Sequence, residues 1–263
     1  MFKYLDTHTY LMPGHFGGVE GAGLSVYYNN VTQLSVIYET DPEALGRYVN
    51  EEYEIRQPYV IIGFVYCHEV DYLAGGWYNI AQAMVPVRYT RSEDPIEGYF
   101  PLVVWENRTE PILGGREQSG VPKIFCDIAE CQVVGDHLFA TASHSGHDFL
   151  RIDLNRKAAF TQAEIAGRNQ HNKFNLLGWR YIPNVGKPGA AVSHATLYPQ
   201  ESTLLEGWNA DGKVTWTGVT WEQVPMQAHI INALADLSVR RYVAASVEKC
   251  KLILHPRLCR ALP

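Results

Sequence analysis

Alternating apolar and polar side chains dominate the first patterned stretch of the chain and predict strands there. Within residues 24–39, the alternation runs from residue 24 to residue 28 and again from residue 34 to residue 38. The Asn29-Asn30 pair lies between the two runs and is typical of a turn. We therefore expect two strands joined by a tight turn in this stretch.

Further stretches rich in Val, Ile and aromatic residues have the length of strands. Residues 59–66 form an apolar run broken only by Gly63, which is typical of a buried strand. Asp211-Gly212 favours a hairpin turn between two of the later strands. Strands are expected at residues 59–66, 77–89, 99–105, 125–134, 137–143, 176–182, 191–198, 203–208, 214–219 and 241–254.

Three short helices complete the predicted elements. Thr40 or Asp41 caps the first helix, and Pro42 suits its first position. The second is limited to one or two turns inside the polar stretch 144–170. The expected ranges are 42–50, 160–167 and 226–236.

Many strands at short spacing with a few helices indicate an α+β chain with mainly antiparallel β structure, whose sheet is closed or strongly curved. The 263 residues show no linker, repeat or break in composition, so we expect one domain over residues 1–263. Its first part, residues 1–23, is rich in glycine and is expected to form an irregular N-terminal arm.

Composition and charge exclude several classes of function. The net charge is −6, and no cluster of Lys and Arg marks a nucleic-acid or membrane surface. No apolar run is long enough to cross a membrane, and the start of the chain lacks the apolar segment of a secretory signal. Five cysteines at irregular spacing indicate free thiols in a reducing cytoplasm. A cytoplasmic protein without nucleic-acid or membrane partners is therefore expected.

Neither a cofactor nor a metal is expected from the motifs. The glycines at 17–21 neither follow a strand nor open a helix, as a dinucleotide-binding loop would. His144 and His147 are three residues apart, but no clear third ligand is near them in sequence. Cys126 and Cys131 do not have the spacing of a redox pair.

One lysine stands out because it lies between apolar residues. Val121 and Pro122 precede Lys123, and Ile124 and Phe125 follow it. Burial disfavours the charged form of a lysine, and a neutral amine attacks carbonyl groups to form a Schiff base. Most lysines face water, however, and the residues alone leave open a hairpin that carries a surface lysine.

This segment resembles the active-site segment of acetoacetate decarboxylase and its superfamily. The resemblance lies in Gly115-Arg116-Glu117 followed by the Pro122-Lys123 pair, and it implies that Lys123 carries the Schiff base. It extends in one order over roughly residues 26–257. The other matching stretches are residues 38–45, 82–87, 174–176, 182–184, 233–239 and 252–257. The family implies a cone-like β-barrel flanked by short helices, with the lysine inside.

The chain departs from the decarboxylases at positions that handle the substrate carboxylate. By the resemblance, Ile124 stands where they have a second lysine and Val31 near their pocket arginine. Their two pocket glutamates fall near Gly63 and Ile80. The pattern resembles divergent members of the superfamily that act as aldolase–dehydratases or hydratases on 2-oxo acids.

The expected function is therefore a Schiff-base lyase that acts on a small oxo acid and assembles as a homo-oligomer. Lys123 is the expected nucleophile and Glu117 the acid/base. Substrate-binding roles are assigned to Arg116, Gln118, Tyr78 and His68. If residues 112–118 form a strand, Arg116 and Gln118 share one face and Glu117 points the other way. One of these three assignments then fails.

Two alternatives stay open. The first is decarboxylation of acetoacetate or another 3-oxo acid through the same lysine. The second, of another class, is a non-catalytic barrel that binds an apolar ligand, with Lys123 inert.

Overall fold

The computed structural model describes residues 1–20 and 24–263 and consists mainly of strands. The strands are β1 His8–Thr9, β2 Val19–Glu20, β3 Val26–Glu39, β4 Tyr53–Ile55, β5 Tyr59–Val70, β6 Gly76–Tyr89, β7 Ile96–Glu106, β8 Lys123–Phe125, β9 Asp127–Ile128, β10 Gln132–Val134, β11 His137–His144, β12 His147–Ala159, β13 Lys173–Pro183, β14 Ala190–Trp216, β15 Arg241–Leu254 and β16 Arg260–Ala261. The helices are α1 Pro42–Gly46, α2 Thr109–Glu117, α3 Gln162–Asn169 and α4 Ala228–Ala235. Single 3-10 turns occur at Gly14–Phe16, Asp71–Leu73 and Pro256–Leu258.

Seven strands close into a ring. Their order is β14-β13-β7-β6-β5-β3-β15, and β15 pairs with β14 to complete the circle. Every pairing in the ring is antiparallel except that of β7 with β13, which is parallel at Leu176 and Tyr99. The prediction of a mainly antiparallel, cone-like barrel flanked by a few short helices is confirmed.

A second layer covers one side of the barrel. The last part of β14 leaves the ring and pairs with β12, which continues through β11 to β10. The 27 residues of β14 therefore belong both to the barrel and to this outer sheet.

Side chains alternate between the core and the interior of the barrel. On β3, Leu34 and Val36 face outward into the main core, where they belong to one cluster with Ile152 of the outer sheet. Gln33 and Ser35, at the alternate positions of the same strand, line a cavity inside the ring. The period of two along each strand thus separates a packed apolar layer from the wall of a cavity.

Two predicted turns are wrong because the strands run through them. Asn30 pairs with His68 in the middle of β3, so Asn29-Asn30 does not form a turn. Asp211 and Gly212 pair with β12 in the middle of β14. A Cβ at Gly212 would lie 2.6 Å from Ala245 Cβ, so the glycine permits close packing of strands there instead of a turn.

The structure also excludes the strand considered for residues 112–118 and corrects the view of residues 144–170 as a polar stretch. Residues 112–117 lie in helix α2, and Gln118 is its C-cap residue. Strand β12 crosses the stretch 144–170, which looked polar because most of its buried residues lie on one face. Leu150, Ile152 and Leu154 are buried in the core, whereas Arg151, Asp153 and Asn155 are partly or fully exposed.

The three predicted helices are present as α1, α3 and α4, with ends shifted by up to four residues. The Asp41 side chain caps α1 by accepting from the Ala44 amide at 2.9 Å, but the helix ends at Gly46 and not at residue 50. Thr161 and Glu164 form a capping box that starts α3 within the expected range. In the N-terminal arm, β1 pairs with β2; residues 21–23 of the arm lie outside the described residues.

Candidate active site

The barrel encloses a cavity of about 470 Å³. The inward positions of the ring strands line it, together with residues at the end of α3 and just after it. One end of the cavity is formed by β7, β8 and a group of tyrosines. Lys123 lies at that end.

Lys123 reaches the cavity because β8 adds to the barrel beside β7. β8 runs parallel to β7, with Lys123 opposite Val104. The turn between α2 and β8 needs Gly120, whose φ is +67° and whose absent Cβ would lie 2.7 Å from the Arg180 backbone nitrogen. Helix α2 covers the lysine from outside, and Lys123 Nζ donates to the Pro111 carbonyl at 3.1 Å. The lysine side chain is 13% exposed.

A buried carboxylate lies directly against this amine. Glu106 ends β7, its side chain is fully buried, and its Oε1 is 2.7 Å from Lys123 Nζ. Neither carboxylate oxygen has a hydrogen-bond partner elsewhere in the described parts of the chain. Burial raises the pKa of Glu106 above its ordinary value, and the nearby Lys123 charge opposes that rise. The arrangement is a carboxyl group able to exchange a proton with the lysine amine.

Sequence reasoning missed Glu106, although a signal for it was present. The predicted strand 99–105 stops one residue before it. Continuing the alternation places Glu106 on the same face as Val104, on a strand that is otherwise apolar. A charged residue on the inward face of a buried strand is uncommon enough to suggest a site.

Hydroxyl groups complete this end of the cavity. The hydroxyls of Tyr28 and Tyr78 hydrogen-bond to each other at 2.9 Å, and both side chains are buried. Tyr198 also lines the cavity. Burial raises the pKa of all three tyrosines, so they stay protonated and can donate hydrogen bonds. Tyr78, one of the residues singled out in the sequence, therefore lies beside the lysine end of the cavity.

The structure does not bring the other three residues of the lysine segment to the cavity. Because 112–118 is helical, Arg116 and Gln118 are exposed on the outer side of the barrel. Arg116 Nη1 donates to the Lys123 carbonyl at 3.0 Å and so supports β8 from outside. Glu117 accepts from the Met12 amide at 3.4 Å through its side chain. Strand alternation could have directed some of these side chains into the cavity. In the helix all three point away from it.

His68 also lies outside the cavity. On β5 its neighbour Cys67 faces the cavity, so the alternation turns His68 outward. Its Nε2 is 3.5 Å from Glu130, and its ring stacks on Trp77.

The positions that depart from the decarboxylases have distinct surroundings. Val31 is buried in an apolar cluster with Cys67 and Cys250, and Ile124 faces the main core. Ile80 lines the cavity directly opposite Glu106 in the β6–β7 register. A carboxylate is thus present beside the lysine, but it comes from the neighbouring strand.

The other candidate sites from the sequence have no comparable surroundings. His144 and His147 pair across the tight β11–β12 hairpin. Within residues 1–20 and 24–263, no group of three or more His, Cys, Asp and Glu is placed to hold a metal ion. All five cysteines are free thiols. None of the helices in the described ranges is long and apolar enough to cross a membrane.

Comparison with known proteins identifies related chains. The family model described as acetoacetate decarboxylase matches residues 11–259. The acetoacetate decarboxylase of Burkholderia multivorans is 26% identical over 221 residues, which cover 81% of this chain and 78% of that protein. That of Burkholderia vietnamiensis is 26% identical over 219 residues, covering 80% of this chain and 78% of the relative.

Solved structures share the fold at lower identity. The crystal structure of acetoacetate decarboxylase from Legionella pneumophila has a TM-score of 0.76 at 20% identity and covers 99% of this chain and 91% of its own. The enduracididine biosynthesis enzyme MppR, complexed with pyruvate, has a TM-score of 0.68 at 14% identity, with 92% and 91% covered. Another MppR structure, with a TM-score of 0.65 at 14% identity and coverage of 91% and 89%, holds the condensation product of pyruvate and imidazole 4-carboxaldehyde.

Proposed function

The chain belongs to the acetoacetate decarboxylase family, and from that premise we propose that it is a lyase that forms a Schiff base between Lys123 and a small oxo acid. The observation that carries the proposal is the Lys123–Glu106 pair at the end of the cavity, with the carboxylate fully buried and the amine largely so. An amine in that place can meet a carbonyl group away from bulk water, with a proton acceptor at 2.7 Å.

The pair can supply every proton that imine formation needs. The Lys123 ammonium first gives a proton to Glu106, whose raised pKa favours accepting it. The neutral amine then attacks the ketone, so a carbon–nitrogen bond forms as the carbonyl π bond breaks, and the new ammonium passes one proton to the alkoxide to give a hydroxyl. Glu106 returns the proton to the departing hydroxyl, which leaves as water. The products are a protonated imine and a Glu106 carboxylate beside it.

From this imine we propose condensation, dehydration or hydration of a 2-oxo acid such as pyruvate. Glu106 removes a proton from the carbon next to the imine, and the resulting enamine adds to an aldehyde. The protonated Glu106 then gives its proton to the new alkoxide. Only one acid/base is needed for these steps, and Glu106 replaces Glu117 in that role. Tyr78 is the proposed hydrogen-bond donor to the substrate.

Three observations support this branch over decarboxylation. The positions where the resemblance places the decarboxylases' charged pocket residues are here Val31, Gly63 and Ile80. The cavity volume of about 470 Å³ lies within the roughly 300–1,000 Å³ of pockets that hold drug-sized ligands, so it has room for a second reactant beside pyruvate. MppR, which shares the fold, has been seen with a condensation product of pyruvate.

A second candidate is decarboxylation of acetoacetate or another 3-oxo acid. The observation in its favour is that the curated relatives at 26% identity are acetoacetate decarboxylases. The same imine would accept the electrons of the departing carboxylate. A non-catalytic barrel with an inert Lys123 is the alternative of another class.

Borohydride trapping separates these functions. We expect reduction in the presence of pyruvate to add the pyruvyl mass to Lys123, and Lys123→Arg to abolish that adduct. Lys173→Arg is the matched control, because the Lys173 side chain is 78% exposed outside the cavity and its loss should leave trapping unchanged. Equal adduct in wild type and Lys123→Arg would point to another amine and exclude the mechanism.

The branch needs a second measurement. Wild-type protein is given acetoacetate, or pyruvate with an aldehyde, and carbon dioxide and conjugated enone acid are measured side by side. Enone acid in excess of carbon dioxide supports the proposal. Efficient carbon dioxide release without a condensation product would establish the decarboxylase instead.

Three expectations from the sequence stay predictions. They are one domain over residues 1–263, a homo-oligomeric assembly and a cytoplasmic location. The mass of the native protein in solution tests the assembly.

A further inference from the structure

The cavity wall contains amide and hydroxyl groups that have no partner. Gln33, Ser35, Gln82 and Gln200 line the cavity, and none of their side chains forms a hydrogen bond or ion pair with the rest of the described chain. We call these four residues the amide wall. Polar groups inside a protein are normally hydrogen-bonded, so partnerless groups on a cavity wall indicate a ligand or water that pairs with them.

The sheet register connects the amide wall to the lysine. Ser35 lies opposite Gly63, Gly63 opposite Gln82, and Gln82 opposite Val104, which in turn lies opposite Lys123. Gln82 and Lys123 are thus two strands apart, a separation of roughly 10 Å between their backbones at the usual strand spacing. Both side chains line the cavity, so a substrate bound to the lysine can reach Gln82 with its far end.

Gly63 keeps the amide wall open. A Cβ at this position would lie 3.2 Å from Gln82 Nε2, so a side chain there would press on the amide. Without it, the Gln82 amide can turn to donate or to accept.

The charges of the cavity are already neutralised in pairs. Lys123 pairs with Glu106, and Arg168 at the end of α3 pairs with Glu248 at 3.1 Å. Among the described residues that line the cavity, no unpaired Lys or Arg remains for an anion at the amide wall. An anionic group placed there would lose its water without gaining a countercharge, which is costly.

We propose that the amide wall binds an uncharged hydrogen-bonding group, a hydroxyl or a carbonyl, on the part of the substrate remote from the carbonyl that Lys123 attacks. The substrate class is then an oxo compound with a neutral polar chain. That chain belongs either to the second reactant or to a single larger keto substrate. This inference rests on the proposed Schiff-base function, because the lysine fixes the other end of the substrate.

Reductive trapping with three methyl ketones of similar length tests the amide wall separately from catalysis. The ketones are 5-hydroxypentan-2-one, hexan-2-one and levulinate, which end in a hydroxyl, a methyl and a carboxylate. Adduct at Lys123 is measured by mass spectrometry over a range of ketone concentrations. We expect the hydroxyketone to half-saturate trapping at a roughly 3- to 10-fold lower concentration than hexan-2-one. This is the gain in affinity that one neutral hydrogen bond provides. Levulinate should require the highest concentration.

Gln82→Met is the informative variant, since methionine has a similar length but no amide. It should raise the half-saturating concentration of the hydroxyketone and so remove its advantage over hexan-2-one. Gln132→Met is the matched control, because Gln132 is exposed on β10, and it should keep the wild-type ratio.

The outcomes separate the two proposals. Trapping at Lys123 that favours levulinate, or a hydroxyketone advantage that survives in Gln82→Met, overturns the neutral subsite but leaves the Schiff-base function standing. If none of the ketones, nor pyruvate, is trapped at Lys123, the Schiff-base function fails and the inference about its substrate fails with it.

Discussion

Replacing Lys123 with methionine should destabilise the protein in a strongly pH-dependent way. Glu106 is fully buried, and the Lys123 amine at 2.7 Å is its only paired charge among the described residues. Without that amine, the carboxylate must either stay ionised without a partner or take up a proton. Methionine keeps most of the apolar stem, so the change is mainly one of charge.

The size of the effect follows from the ordinary glutamate pKa of 4.5. Holding a carboxyl protonated above its ordinary pKa costs about 1.36 kcal/mol per pH unit, which gives roughly 5 kcal/mol at pH 8 and roughly 0.7 kcal/mol at pH 5. Measured losses for breaking a buried pair are about 3–5 kcal/mol. The loss in Lys123→Met should therefore approach about 3–5 kcal/mol at pH 8 and fall to about 1 kcal/mol at pH 5.

The sign is fixed by proton binding. The folded-state pKa of Glu106 is raised, so above pH 4.5 the folded variant binds more protons than the unfolded chain. The free energy of unfolding therefore falls as the pH rises through that window. Removing Lys123 takes away the charge that opposes the rise in pKa, so the window is wider in the variant than in the wild type.

Urea denaturation at pH 5, 6, 7 and 8 measures the effect, and the melting temperature at pH 8 should drop by roughly 10 °C. The double variant Lys123→Met/Glu106→Gln carries neither charge and should be more stable at pH 8 than Lys123→Met alone. An equal loss at pH 5 and pH 8, or a double variant less stable than Lys123→Met at pH 8, would refute the assignment of a coupled buried pair.

Two glycine substitutions test packing at the site and in the fold. In Gly115→Ala the new Cβ would overlap the stem of Lys123, so trapping of pyruvate should fall roughly 10-fold or more because the amine is displaced. Gly114→Ala in the same helix should trap normally, and equal trapping in both variants would contradict the placement of the lysine under α2. Gly212→Ala should lower the free energy of unfolding by roughly 1–3 kcal/mol in urea through overpacking. Gly167→Ala, in open space within a helix, should be neutral or raise it by up to about 1 kcal/mol, and a Gly212→Ala protein as stable as Gly167→Ala would show that the strands there have room to spare.

The sequence revealed the architecture where local patterns agree with tertiary contacts. The alternation in β3 and the apolar run of β5 identified strands because each strand has a core face. Prediction from the sequence failed where tertiary packing overrode a local preference. Gly212 is typical of a turn in isolation, but in the fold its missing side chain lets β15 approach.

The site shows the same limit. Lys123, which lines the cavity, was singled out because its apolar neighbours and the family resemblance both pointed to it. Arg116 and Glu117 were misplaced because the face of a residue depends on whether its segment is helix or strand, and residues 112–118 carry two glycines and little periodicity. Glu106 was missed because it lies 17 positions before the lysine in sequence, and only the parallel pairing of β7 with β8 brings the two together.

The length of β14 restricts where this chain can change in length. Its 27 residues form one wall of the cavity and then continue, without a loop, into the outer sheet. Side chains along a strand alternate between faces, so one inserted residue would reverse the orientation of every side chain beyond it. After an insertion near Asn209, only one half of β14 could keep its register. In the other half, which forms either the cavity wall or the core face of the outer sheet, inward and outward side chains would exchange places. Homologues of different length should therefore differ in the surface turns between strands, while β14 keeps its length.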